Sequence, residues 1–467
     1  MAKAHALTAS APMPVPATVE VAAPSTLNRS NLNLADALAL AARHNRSIAA
    51  ADASLDMAGD RVGVARSALL PTNSVRGAYN WYSDEQTNSI DLDPALLPPN
   101  TPAPVVTVRQ RDFATISAAV RLAIDLSGEL RHGLSAAQAG FRAERARAWG
   151  TRLEEEASVT SAYFRLLEAK RLREVMAQTI ALHERQLADA SRRYEQGRLT
   201  RNEVLVVDVA LASSRQRLLQ LDNAIATSRR SLNRATGLEV RAPTEVVDVA
   251  GRPDMPSVED ALATAQKDNP LVAAMVEEAQ ASDERITSAK RSRFGRVGVG
   301  VGYEATSATI LTPNNYATAG VTVEVDLGSF EREARIAELQ AASRRTRLLL
   351  DRTAREIDSL VLDSHDRLRE RLAAIDAQTV AVGQAEENLR IRQVQFDEGR
   401  ATSEDLLDAA ELATRQKAAL ASSLYQAHTG RAELQALMGR PLSELADAAP
   451  APSAAPSPTL ATGEAQP

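Results

Sequence analysis

Histidine is the residue type in this chain best suited to metal binding or proton transfer, but the spacing of the histidines supports neither. No two of the six stand at metal-ligand spacing, so we expect them at the protein surface, including the His365-Asp366 pair on a long charged helix. The absence of cysteine excludes thiolate zinc sites, cysteine nucleophiles and lipid-modified cysteine. The six histidines are His5, His44, His132, His183, His365 and His428.

Gly298, Gly300 and Gly302 suggest a phosphate-binding loop, but no strand–turn–helix unit surrounds them. They recur at every second position inside a strand pattern. On one strand face they would leave room in a crowded lumen or beside a neighbouring strand. No Ser/His/Asp or Cys/His constellation is apparent either. The sequence therefore predicts a protein that is not an enzyme, with no cofactor and no metal site.

The chain contains an internal duplication. Residues 36–39 and 260–263 both read Asp-Ala-Leu-Ala, and the turn Tyr194–Thr200 is matched by Phe396–Thr402 about 202 positions later. A duplication predicts a pseudo-symmetric architecture. The predicted boundaries are a flexible segment 1–30, repeat one 31–239, a linker 240–256, repeat two 257–441 and a disordered tail 442–467.

Each repeat has the same predicted order of elements: helix, strand, loop, strand, very long helix, glycine turn and helix. Thr200–Glu203 predicts a capping box at the last helix of repeat one, and Thr402–Asp405 caps the last helix of repeat two. In repeat one the elements are helix 34–70, strand 75–81, a Pro-rich loop 83–112, strand 115–125, helix 129–196 and a helix to 235. In repeat two they are helix 257–293, strands 297–303 and 321–326, helix 330–398 and helix 402–439.

The composition is typical of long helices, with abundant Ala, Leu, Arg and Glu and only 3% aromatic residues. The net charge of −6 is spread along the chain, so no basic stripe predicts nucleic-acid binding. The strands alternate apolar or small residues with polar ones over about 7–11 residues, as transmembrane β-strands do. Four strands cannot close a barrel, so a membrane barrel would need several chains.

In these features the chain resembles the TolC family of outer-membrane efflux proteins. The resemblance covers about residues 34–441 and includes the duplication, the opening motif of each repeat and the strand exits Asp125-Leu126 and Asp326-Leu327-Gly328. It also includes the aromatic-x-x-Gly turns at Tyr194 and Phe396. The implied fold class is mainly α with a small β part. It combines a duplicated coiled-coil α-barrel with four strands per chain in a trimeric, twelve-stranded transmembrane β-barrel.

The resemblance implies a passive exit duct in the outer membrane, with its helical part in the periplasm. The homotrimer would contact outer-membrane lipid and dock with a periplasmic adaptor and an inner-membrane transporter. Asp405 and Asp408 align with two acidic rings that constrict the entrance of the pore. The exposed turn tips that would receive the adaptor are marked by Gly197, Thr200, Gly399 and Thr402.

The resemblance also implies a latch between the two helical hairpins, but the family's pattern is altered here. The expected tyrosine is Phe396, which has no hydroxyl group, and the expected arginine aligns with Ala401. Arg400, Arg198 and Glu203 are the residues that could rebuild the latch, beside Tyr194 and Phe396.

Two other interpretations remain open on the sequence. One is a structural coiled-coil scaffold that never inserts into a membrane; the other is a periplasmic adaptor, although adaptors carry one helical hairpin flanked by β-domains. The first 30 residues lack a continuous apolar core, so they make a poor secretory signal. The resemblance does not identify the exported substrate, because selectivity in such systems usually lies in the inner-membrane partner. His and Met do not cluster, which gives no support for metal export.

Overall fold

A computed structural model describes residues 31–89, 105–249, 251–310, 313–325 and 330–447. Within these ranges the chain is mainly helical, with a four-stranded sheet and a two-stranded sheet, and two successive halves share an order of elements. The helices are α1 (Leu34–His44), α2 (Arg46–Ser67), α3 (Glu129–Glu195), α4 (Arg201–Ala235), α5 (Val258–Asp268), α6 (Pro270–Arg291), α7 (Phe330–Asp397), α8 (Ser403–Leu437) and α9 (Ser443–Asp447). The predicted segment 1–30 lies outside the described residues.

The helices predicted at 34–70 and 257–293 are each broken near their start, a feature that the sequence analysis missed. Asn45 and Asn269 adopt extended backbone conformations and cap α2 and α6 with their side-chain oxygens, at 2.7 Å from the Ser47 nitrogen and 3.0 Å from the Leu271 nitrogen. The side-chain nitrogen of Asn45 also donates to the last carbonyl of α4, and that of Asn269 donates to the last carbonyl of α8. These carbonyls close the two long helical hairpins, α3–α4 and α7–α8.

Both helix breaks are packed against a glycine that ends a long hairpin. Gly237 and Gly439 have φ values of +74° and +78°, in the left-handed region that favours glycine. A Cβ atom on Gly237 would lie 2.5 Å from the carbonyl oxygen of His44, and one on Gly439 would lie 2.2 Å from that of Asp268. Each half therefore has a junction of the same kind. At this junction the backbone at the end of the hairpin contacts the backbone at the helix break.

The sheet contains four antiparallel strands in the order β1-β4-β5-β6. Its strands are β1 (Thr72–Trp81), β4 (Asp112–Ile124), β5 (Arg296–Thr306) and β6 (Asn315–Glu324). A short hairpin of β2 (Gln86–Ser89) and β3 (Val105–Arg109) occupies part of the stretch predicted as loop 83–112, whose residues 90–104 lie outside the described ranges. β1 and β6 are the edges of the four-stranded sheet, so this sheet leaves two strand edges unpaired in the described chain.

Two apolar clusters hold the helices together. The first is centred on Tyr163 and Phe164 of α3 together with α1, and the second on Val361 and Leu368 of α7 together with α5. The Tyr163 hydroxyl donates to the carbonyl oxygen of Leu32 at 3.2 Å. His365, which lies 202 positions later, places its Nε2 atom 3.2 Å from the carbonyl oxygen of Pro256. In each half, the long helix therefore binds the segment that precedes the first helix of that half.

The prediction that all six histidines lie at the surface is wrong for two of them, because His183 and His365 are only 6% and 7% exposed. The prediction of a disordered tail from residue 442 is also wrong at its start. Leu442 is fully buried, its N–H donates to Glu156 at 3.0 Å, and α9 follows. Residues 448–467 lie outside the described ranges.

Candidate functional site

The candidate site lies at the turns that join α3 to α4 and α7 to α8. Gly197 and Gly399 have φ values of +71° and +74°, and a Cβ atom on either would meet nothing within 4 Å. The N–H groups of Arg198 and Arg400 reach back to carbonyl oxygens five residues earlier, at 2.8 and 2.7 Å. Both turns therefore end a long helix with a glycine whose surroundings are open.

Each following helix begins with a capping box, as predicted. The Thr200 side chain accepts from the Glu203 backbone, while the Glu203 carboxylate accepts from the Thr200 backbone at 2.9 Å. Thr402 and Asp405 repeat this exchange, at 3.0 Å from the Thr402 nitrogen to the Asp405 carboxylate. The glycine and threonine of each turn are thus fixed by backbone geometry and polar contacts.

Asp405 and Asp408 lie three residues apart and therefore share one side of the first turns of α8. The hydrogen bond from the Thr402 backbone is the main cause that lowers the pKa of Asp405, and the Thr402 hydroxyl adds to it. Asp405 consequently stays ionised at neutral pH. Asp408 is exposed, and the equivalent position in repeat one is Val206, so this pair of acids exists in only one half.

Two of the residues considered for the latch make local contacts. Glu203 is engaged in its own capping box, and the Arg400 guanidinium pairs with Glu398 of the same turn. Tyr194 is 45% exposed, whereas Phe396 is 3% exposed.

Arg193 makes the contact that joins the two hairpins at this end. Its Nη1 donates to the carbonyl oxygen of Phe396 at 2.6 Å, and its Nη2 donates to the Asp397 carboxylate at 2.8 Å. The guanidinium also lies 4.5 Å from the centre of the Phe396 ring. Sequence reasoning missed Arg193 because the counterpart in repeat two is Gln395, so comparison of the repeats gave no signal.

A buried polar cluster lies farther from the turns, where α3 packs against α4 and α8. His183 Nδ1 is 3.1 Å from the Ser214 hydroxyl, and the hydroxyls of Thr179 and Thr414 are 2.8 Å apart. Within the described residues, His183 Nε2 and both polar atoms of Gln186 have no hydrogen-bond partner. Burial is the main cause that lowers the pKa of His183, so the ring is neutral at pH 7.

The four-stranded sheet presents two chemically different faces. The residues of one face are predominantly apolar, and Val75, Ile116, Val301 and Val321 on it are strongly exposed. The opposite face is small and polar, and it carries Gly298, Gly300 and Gly302 against β4. A Cβ atom on Gly300 would lie 3.2 Å from the Val120 carbonyl oxygen, so these glycines permit close approach of the neighbouring strand.

In the described ranges, no helix combines the length and apolar character needed to cross a membrane. The same ranges contain no group of three or more His, Asp or Glu side chains arranged to hold a metal ion.

Comparison with known proteins gives one family and several solved folds. Residues 37–238 match the family described as outer membrane efflux protein. No curated protein matches the chain in sequence. Among solved structures, the outer membrane protein VceC of Vibrio cholerae is 18% identical, with a TM-score of 0.72 over 87% of this chain and 96% of VceC. The Campylobacter jejuni outer membrane channel CmeC is 12% identical, with a TM-score of 0.72 over 92% of this chain and 94% of CmeC.

Proposed function

We propose, on the premise that this chain belongs to the outer membrane efflux protein family, that it is the exit duct of a tripartite efflux or type I secretion system. The chain would act as a homotrimer that conducts solutes passively through the outer membrane. Energy for transport would come from an inner-membrane transporter, coupled to the duct by a periplasmic adaptor.

The observation that carries this proposal is the sheet, which has one apolar face, one polar face and two unpaired edges. In a bilayer, unpaired strand edges cost several kcal/mol per polar group, so β1 and β6 require strands from other chains. Three chains would supply twelve strands and close a barrel. The apolar face would then contact lipid, and the polar face would line the lumen.

The helices supply the periplasmic part of the duct. α3 has 67 residues and α7 has 68, so each is roughly 100 Å long. Each of these helices begins just after a strand of the sheet and ends at a glycine turn, so the turns lie at the helix ends away from the sheet. They are the proposed adaptor-docking tips, marked by Gly197, Thr200, Gly399 and Thr402. The open surroundings of both glycines support this role, because a partner could approach the backbone there.

Asp405 and Asp408 are the proposed constriction. Three copies of each around a narrow entrance would concentrate negative potential and favour cations. The lowered pKa of Asp405 supports a ring that remains charged. Beside this ring, the proposed latch consists of Arg193 from α3 with Phe396 and Asp397 from α7, since these residues join the hairpins directly.

Single-channel recording in planar bilayers tests the proposal. We expect the wild-type trimer to form pores, and we expect Asp405→Asn/Asp408→Asn to lose cation preference while keeping the capping contact, because asparagine can still accept from Thr402. Asp208→Asn is the matched control, since it removes one acid from the corresponding part of α4 without touching the pair. A folded, helical protein that never inserts would instead indicate a coiled-coil scaffold.

A further inference from the structure

The polar face of the sheet contains an isolated arginine with small neighbours. The strand register places Thr72, Arg121, Gly300 and Gly320 in one row across the four strands. Arg121 is exposed, and on the β5 and β6 side of it the row offers no side chain larger than hydrogen. On this side, the Arg121 side chain therefore has no neighbouring side chain in its row.

Gly300 is the residue that makes room for Arg121. A Cβ atom on Gly300 would lie 3.3 Å from Cγ of Arg121, which is tighter than ordinary van der Waals contact. A Cβ atom on Gly320, in the same row, would meet nothing within 4 Å. The two glycines thus differ in a testable way, since only the first is covered by the arginine stem.

The acidic residues of the same face lie away from this row. Glu304 shares a row with Arg76 and Tyr316, four residues along the strand and about 14 Å away. Glu324 stands at a similar distance in the other direction, opposite Arg296. Among the ion pairs formed by described residues, none includes Arg121. Its charge is therefore available to a solute on that face.

We propose that Arg121 is an anion-binding position inside the duct, which recognises solutes that carry a carboxylate or phosphate group. The proposal rests on the proposed function, because the trimer would bring three copies of Arg121 to one level of the lumen. A guanidinium presents a planar set of donors that matches both anions. A ring of arginines also favours anions in a pore, opposite in sign to the Asp405 and Asp408 ring.

The experiment compares reversal potentials of the full-length trimer in planar bilayers under a KCl gradient. We expect Arg121→Gln to lower the chloride-to-potassium permeability ratio roughly two-fold or more, because a ring of three charges is lost. Arg121→Lys should keep this ratio. Added inorganic phosphate should reduce the current through wild-type pores more than through Arg121→Lys pores, since lysine lacks the planar fork.

The two glycines supply the matched controls. Gly300→Ala should displace the Arg121 side chain and weaken the effect of phosphate, whereas Gly320→Ala should leave it unchanged. Pores of Arg121→Gln with wild-type selectivity and wild-type response to phosphate would overturn the inference while leaving the duct intact. Equal effects of the two alanine variants would overturn the role of Gly300. A wild-type protein that forms no pores would overturn the proposed function itself.

Discussion

The two halves of the molecule share a backbone framework and differ in the side chains that it carries. In both, an asparagine breaks the first helix and a glycine at the hairpin end packs against that break. In both, a capping box follows the glycine turn. The acid Asp408, by contrast, belongs to one half only, because its counterpart is Val206, whereas Asp405 has the acidic counterpart Glu203. Arg193 and His183 likewise differ from their counterparts, which are Gln395 and Ala385.

This difference separates two kinds of constraint. Positions that recur in both halves satisfy backbone geometry, which a duplicated fold needs twice. Three positions that differ, Asp408, Arg193 and His183, lie at the contact between the halves or along the proposed conduit. At these three positions the asymmetry follows contacts or a role that only one half has.

The largest effect in this comparison is expected at the junction glycines. Gly237→Ala and Gly439→Ala combine a left-handed backbone with a Cβ overlap at 2.5 and 2.2 Å, so each should lower the free energy of unfolding by roughly 3 kcal/mol or more. Gly197→Ala and Gly399→Ala face only the left-handed strain, about 1–2 kcal/mol. Urea unfolding followed by circular dichroism measures all four.

The halves should respond alike in that experiment. If Gly237→Ala and Gly439→Ala differ by more than the tip variants differ from each other, the junctions are not equivalent. A tip variant as unstable as a junction variant would show that the turns are more constrained than their open surroundings indicate.

The sequence predicted the framework well, because its signals are local. Glycine turns, capping boxes and period-two strands are fixed by residues within a few positions, so α3, α4, α7, α8 and the strands β1, β4 and β5 were confirmed within a few residues. The strand predicted at 321–326 instead begins six residues earlier, at Asn315. The breaks at Asn45 and Asn269 were missed because an asparagine with extended backbone is stabilised by carbonyl groups about 170–190 residues away.

The site was less predictable for the same reason. Glu203 was considered for a latch, but its strongest contact is the local cap that its own spacing indicates. The contact of Arg193 with Phe396 spans the two repeats, and no spacing within either repeat encodes it. The burial of His183 and His365 likewise depends on helices distant in sequence, which the scattered spacing of the histidines could not reveal.

A smaller effect is expected from the Arg193 contact, which joins the halves at the end that carries the glycine turns. Arg193→Gln, which installs the residue found at the equivalent position of repeat two, removes two charge-assisted hydrogen bonds and a ring contact, worth about 2 kcal/mol together at this partly exposed site. We expect a larger fraction of time in the open state in single-channel recordings. Arg192→Gln is the control, because the neighbouring Arg192 pairs with Asp189 of its own helix. If Arg192→Gln raised the open fraction as much as Arg193→Gln, the cause would be the loss of a surface charge and not the loss of the contact.

The smallest effect is expected at His183, and it should appear only as a dependence on pH. Burial lowers the pKa of His183 below 6.5, with Arg217 lowering it further and Glu411 opposing both. Protonation therefore favours states in which the ring is hydrated. The packing of α3 against α4 and α8 should be fully stable above about pH 6.5 and should weaken as the pH falls through that value. Urea midpoints at pH 8, 7, 6 and 5 should show this loss in the wild type and less of it in His183→Gln. Parallel pH profiles would mean that another group, outside this polar cluster, causes the acid sensitivity.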